Sequence, residues 1–347
     1  MHSQSYPISP ASEPVAFTKK TRYSPRLEEF ESRAVTQMED EYADEIAEHQ
    51  KAMEMATIPD VNMMDLQPEL EWHMRPYLLD FLVESHLSLR LHPQTLFLAV
   101  NLIDRYCSRR VVFKKHYQLV GCAALWIAAK YEDKKDRVPT VRELKIMCCD
   151  AYEEDMFVQM EGHVLSTLEW NIGHPTTYTF LTQRLRYSRS SVLDNLTHYL
   201  SEMCLFHKAF LGFAPSVIAN ASIIVAQHIL QSQCASVTSE DESQCVTLLS
   251  QYIMHASSQS LQKKFSSAAF SQVSVALQDF VVRQQHAVSE LPPTPPPSSL
   301  TPIKQYACDR SAEMINTATY AAQSAYITPP CSPDEVSTAN FHMQTTC

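Results

Sequence analysis

Apolar positions along this chain repeat at helical spacing, and the clearest repeats lie between Leu66 and Ile172. Leu78, Leu79, Leu82, Val83 and His86 share one face of a segment from about 74 to 90, as an amphipathic helix requires. His92-Pro93 opens a second helix, with proline where its missing N–H costs nothing. The stretch 114–131 is apolar nearly all round, which marks a helix buried on most sides at the centre of a bundle. Its small residues Gly121, Ala123, Ala124, Ala128 and Ala129 permit close approach of neighbouring helices. Thr140 followed by Glu143 has the spacing of a capping box and starts a fourth helix, and 153–169 forms a fifth. Gly173 and Pro175 end this unit.

A weaker helical pattern follows, with candidate helices at 176–185, 193–205, 215–231, 245–253 and 270–282 and a polar loop at 232–243. Five helices followed by five predict an all-α chain of two five-helix bundles in tandem, at 66–172 and 175–285. Upstream, residues 1–38 read as an irregular arm. Residues 39–65 read as a short helix, stopped by Pro59, and a linker. From 288 to 347 the periodicity vanishes. Nine prolines fall between Pro292 and Pro333 among serines and threonines, a composition expected to stay disordered.

Composition narrows the function. Only 4 of 347 residues are glycine, too few for the turns of a doubly wound nucleotide-binding sheet. The formal charge of -11 disfavours direct nucleic-acid binding, which needs a basic surface. Ten cysteines include no CxxC pair, and adjacent Cys148 and Cys149 have a poor spacing for a metal, so reduced structural thiols and no metal site are expected. The N-terminal segment does not read as a signal peptide, and the longest apolar run, 121–129, is half a membrane span, so no membrane partner is expected. Phosphate loops, zinc-binding HExxH and nucleophile elbows are absent, and no cofactor is implied. The charged group Glu132, Asp133, Asp136, Lys134, Lys135 and Arg137 reads as a solvated loop. Arg105, Arg109, Arg110, Lys114 and Lys115 read as a solvated helix edge or, less simply, a localisation signal.

The blocks MRPYLLDFLVE, FLAVNLIDRYC, YQLVGCAALWIAAKYED and VQMEGHVLSTLEWNI together resemble a cyclin box. The resemblance covers about 70–285, is strong in the first bundle, and implies the cyclin fold and a regulatory subunit with no catalysis of its own. It implies a buried Arg75–Asp104 pair, a hydrogen-bonding role for Asp80 and a core position for Leu119. It further implies that Lys130 and Glu161 reach backbone groups of a cyclin-dependent kinase and hold its regulatory helix inward, with Tyr131, Phe157 and, less firmly, Leu168 lining the apolar part of that interface. Met74, Leu78 and Phe81 fall at i, i+4 and i+7 as one exposed stripe beside Glu84, with Lys114 and Gln118 accompanying it. In many cyclins this face docks short substrate motifs. Here it departs from the common form, with Pro76 and Tyr77 after Arg75, Phe81 for the usual tryptophan and Lys114 for arginine.

The arm carries no RxxL destruction box. The tail offers Thr294, Thr301, Thr328 and Ser332, each before proline; the last two, four apart, resemble a paired phosphodegron read by an F-box ubiquitin ligase. The overall look is similar to fungal G1 or G1/S cyclins, which implies control of entry into the cell cycle and residence in nucleus and cytoplasm. The same fold also serves transcriptional or adaptor proteins and cyclins of nutrient-responsive kinases.

Overall fold

The computed structural model describes residues 25–232, 236–255 and 258–289. The chain divides into two units, 1–291 and 292–347, and every described residue lies in the first. The tail sites Thr294, Thr301, Thr328 and Ser332 lie outside the described residues.

All regular elements among the described residues are helices. Three precede the first bundle: α1 (Pro25–Glu41), α2 (Ala43–Ala56) and the single turn α3 (Val61–Met64). The first bundle comprises α4 (Arg75–Ser88), α5 (Pro93–Cys107), α6 (Tyr117–Glu132), α7 (Val141–Met147) and α8 (Glu154–Thr167). The second comprises α9 (Thr177–Arg184), α10 (Ser191–Cys204), α11 (Pro215–Ile229), α12 (Glu240–Tyr252), α13 (Gln259–Phe265) and α14 (Val273–Ser289).

Local chemistry sets these boundaries. Proline opens α5 and α11, and the Thr140–Glu143 capping box opens α7 with both reciprocal bonds made. Ser190, Ser239 and Ser258 each accept a backbone N–H at the starts of α10, α12 and α13. Helix ends take a less usual route. With so few glycines, left-handed turns fall to other residues: Arg90 after α4, Cys149 and Asp150 after α7, Glu169 and Trp170 after α8. No described glycine has a positive φ.

The structure departs from the expected pattern in three places. The arm is helical from Pro25, not irregular to residue 38; α1 is exposed nearly throughout, supported by an Arg33–Glu29 pair one turn apart and an Arg186–Glu39 contact with the second bundle. The second bundle has six helices rather than five, because α13 occupies a segment passed over in the sequence. Helix α12 starts five residues early, inside the expected polar loop, where Glu242 is buried and accepts from Thr238 and Asn220.

One apolar core runs through both bundles, with α6 and α11 as central helices. A satellite cluster of Leu119, Cys122, Trp126, Leu144, Cys148 and Phe157 fills the space between α6, α7 and α8. Among the described residues, polar links at Arg75 and Asp80 join the bundles. The Arg75 guanidinium donates to both oxygens of Asp104 and, through Nε, to the Leu205 carbonyl at 2.8 Å. Asp80 accepts from Ser258 and Ser260 at the start of α13.

Candidate functional site

The best-supported site is the outer face of α6 and α8. Lys130 lies in the last turn of α6 and Glu161 midway along α8. Their packing brings Lys130 Nζ to 2.6 Å from Glu161 Oε1, with the side chains 41% and 16% exposed. The ammonium also lies 3.3 Å from the centroid of the Trp126 ring, a cation–π contact with the residue one turn back. Trp126 is fixed in turn by its indole N–H, which donates to the Pro139 carbonyl at 2.9 Å. A lysine with three donors and a carboxylate with two acceptor oxygens are thus held side by side on a rigid platform. Such a pair suits recognition of backbone carbonyls and N–H groups of a partner.

Tyr131 is 56% exposed beside the pair, as an interface residue requires. Phe157 and Leu168 are not available. Phe157 is fully buried in the satellite cluster, and Leu168 is 1% exposed in the main core. Phe157 shares a face of α8 with Glu161, but that face turns toward α6 and α7 at residue 157 and emerges only a turn later.

The second site is a groove of about 310 Å³ on α4 and the start of α6. Met74, Leu78, Phe81, Lys114 and Gln118 line it together with Tyr77 and Tyr117. Leu78 is only 6% exposed, so it forms the groove floor rather than part of an exposed stripe. It rests on Gly121, where an added Cβ would meet Leu78 Cδ1 at 2.7 Å. Glu84 is exposed but does not line the groove. Tyr117 was not singled out in the sequence, and Tyr77 was noted there only as a departure after Arg75, not as a wall of the groove.

Other charged groups prove structural. Asp133 accepts from the His92 N–H at 2.9 Å and from Thr95 Oγ1, tying the loop after α6 to the start of α5 rather than standing in solvent. Arg105 is 4% exposed and donates to the Asn171 carbonyl at 2.8 Å, so it belongs to neither a solvated edge nor a surface signal. Burial, helped by Arg109, lowers its pKa to about 10. Among the described residues no cluster of three or more His, Cys, Asp or Glu could hold a metal, and no helix is long and apolar enough to cross a membrane.

Comparison with known proteins gives the family. The cyclin N-terminal domain matches residues 45–173 and the cyclin C-terminal domain residues 175–279. The chain is 44% identical over 271 residues to the G1/S-specific cyclin CCN1 of Candida albicans, covering 72% of this chain and 38% of that one. It is 40% identical over 190 residues to cyclin puc1 of Schizosaccharomyces pombe, covering 54% and 50%. A G2/mitotic-specific cyclin-B of Emericella nidulans is 33% identical over 273 residues, covering 75% and 56%. The chain thus spans half or less of the length of the first two of these relatives. Two family domains end to end over two helical bundles, with fungal G1/S-specific cyclins among the most similar relatives, place this chain in the cyclin family.

Proposed function

We propose that this protein is a non-catalytic regulatory subunit that binds and activates a cyclin-dependent protein kinase and promotes passage through G1 or G1/S. The observation that carries the reading is the exposed Lys130–Glu161 pair on the α6–α8 face, in the domain matched to the cyclin family. On binding, the ammonium exchanges its contact with Glu161 for kinase carbonyls, and the carboxylate takes kinase N–H groups. Both exchanges replace one charge-assisted bond by others, so little is lost from the free chain. Similarity to G1/S-specific cyclins supports the phase.

Within this reading the α4–α6 groove docks substrate segments. Its apolar floor and tyrosine walls suit leucine- and proline-rich motifs. The four proline-directed sites of the tail are phosphorylated, and Thr328 with Ser332 recruits an F-box ubiquitin ligase. The protein works in nucleus and cytoplasm.

The test is a pull-down of the intact protein from synchronised cells, with kinase activity assayed on a proline-directed substrate. Recovery of an active cyclin-dependent kinase, lost in a folded Lys130→Ala, Glu161→Ala double variant, supports the reading. A folded wild-type chain that recovers no kinase refutes it and moves the weight to an adaptor role on the same fold.

A further inference from the structure

We propose that Cys122 and Cys148 are a peroxide-oxidisable dithiol whose disulfide ties α6 to the end of α7, beneath the Lys130–Glu161 face. The two sulfurs are 3.2 Å apart. Both cysteines are buried, at 0% and 3% exposure, among Leu119, Trp126, Leu144 and Phe157. Closing that gap to a disulfide of about 2.05 Å takes a movement of about 1 Å.

The backbone on one side can supply that movement. Cys122 is held in the middle of the central helix α6. Cys148 is the residue that ends α7, and the two residues after it, Cys149 and Asp150, turn left-handed at φ of 53° and 58°. The Cys148 end is a turn rather than a helix interior, so it yields before α6 does.

Within the pair, Cys148 differs from the other buried cysteines. Burial pushes the thiols of Cys107 and Cys245 up to about 12 and that of Cys204 well above its ordinary value, as for inert structural cysteines. Cys148 shifts the other way because of its hydrogen bond with Cys122, whose own thiol that bond and burial push well above its ordinary value. The oxidation is a two-electron step. The Cys148 thiolate attacks one oxygen of hydrogen peroxide, an S–O bond forms as the O–O bond breaks, and the departing hydroxide takes up a proton as water. The Cys122 sulfur, losing its proton, then attacks the Cys148 sulfenic acid. The S–S bond forms, the S–O bond breaks, and a second water leaves. Two thiols and one peroxide thus give one disulfide and two waters.

The bond bears on the functional face through packing. Cys122, Trp126 and Lys130 are spaced i, i+4 and i+8, a column on α6, and Phe157 and Glu161 are one turn apart on α8. A shift at Cys148 presses on Trp126 and Phe157, the supports of the exposed pair, and weakens partner binding. That consequence rests on the kinase reading; the dithiol itself does not.

The experiment treats the purified full-length chain with hydrogen peroxide, alkylates the remaining thiols under denaturing conditions and maps peptides by mass spectrometry. A peptide pair bridging Cys122 and Cys148, lighter by two hydrogens and released by dithiothreitol, is the expected result. In Cys122→Ala, Cys148 stops at a sulfenic acid captured by dimedone; should that variant not fold, the wild-type map decides alone. Oxidation confined to exposed Cys149, or full alkylation of Cys122 and Cys148 after peroxide, overturns the proposal. Kinase recovery from reduced and oxidised chains is read separately. A bridge that forms while neither sample recovers a kinase counts against the kinase reading and leaves the dithiol standing.

Discussion

At the seam between the bundles, Arg75 and Asp104 are 4% and 5% exposed. On the outer face of α6 and α8, Lys130 and Glu161 are 41% and 16% exposed. Both places set a basic side chain against a carboxylate, yet the surroundings give them different work. Burial penalises an unpaired Arg75, but Asp104 more than offsets this and raises its pKa above the ordinary value. With the Leu205 carbonyl on its Nε, the guanidinium has partners from both bundles and lies buried away from any other molecule. Lys130 keeps donors facing water. A charge pair enclosed by the fold is committed to the fold; one at the rim remains available.

The largest effect expected from this contrast is at the seam. Arg75→Ala leaves Asp104 buried and unpaired and the Leu205 carbonyl without its donor, at a cost of about 3–5 kcal/mol. A shift of the urea midpoint well below wild type checks this; an unchanged midpoint breaks the comparison. Asp80→Ala removes the acceptor of Ser258 and Ser260 and costs about 1–3 kcal/mol. Its unfolding is expected to lose cooperativity between the bundles, seen as two transitions by calorimetry.

Acid sharpens the contrast further. Burial lowers the pKa of His86 and His198 to about 4 and of His174 to about 3. Protons therefore bind the unfolded chain first, at its ordinary histidine pKa near 6.5. Stability is full above about pH 6.5 and falls steadily as pH drops toward 4. The thermal midpoint at pH 5 should lie below that at pH 7, and an equal midpoint refutes the assignment. The smallest effect on stability belongs to Lys130→Ala, within about 1 kcal/mol, because the pair is part-exposed. The same change should weaken kinase binding by about 2–5 kcal/mol in a direct titration. A large stability loss with intact binding would reverse the roles assigned to the two pairs.

The sequence made the first bundle legible because four of its helices are long and the short α7 carries the Thr140–Glu143 box, while Pro93 marks the start of α5. The second bundle was harder for reasons visible in particular residues. Helix α13 is seven residues long, and one of its core positions is Lys264, whose ammonium lies 2.5 Å from Glu202 inside the protein. A charged residue in an apolar place erases the periodicity that reveals a short helix. Ser239 and Glu242 carry the same capping spacing as Thr140 and Glu143, but the polar residues around them masked it. At the candidate sites, the cyclin resemblance named Lys130 and Glu161, which the fold brings together, and helical spacing grouped Met74, Leu78 and Phe81, which line one groove. It could not give depth. Phe157 and Leu78 share faces with exposed neighbours yet lie beneath them, because only the packing of other helices decides where a face submerges.

Gly121 gives that submerged layer a consequence of its own. It sits behind Leu78, which floors the groove, and leaves no room for even a methyl group. Gly121→Ala would push the leucine forward and make the groove shallower although the substituted residue is itself buried. The shape of the groove can therefore be rewritten from the back of the pocket, and a survey confined to surface substitutions would never find the position that does it.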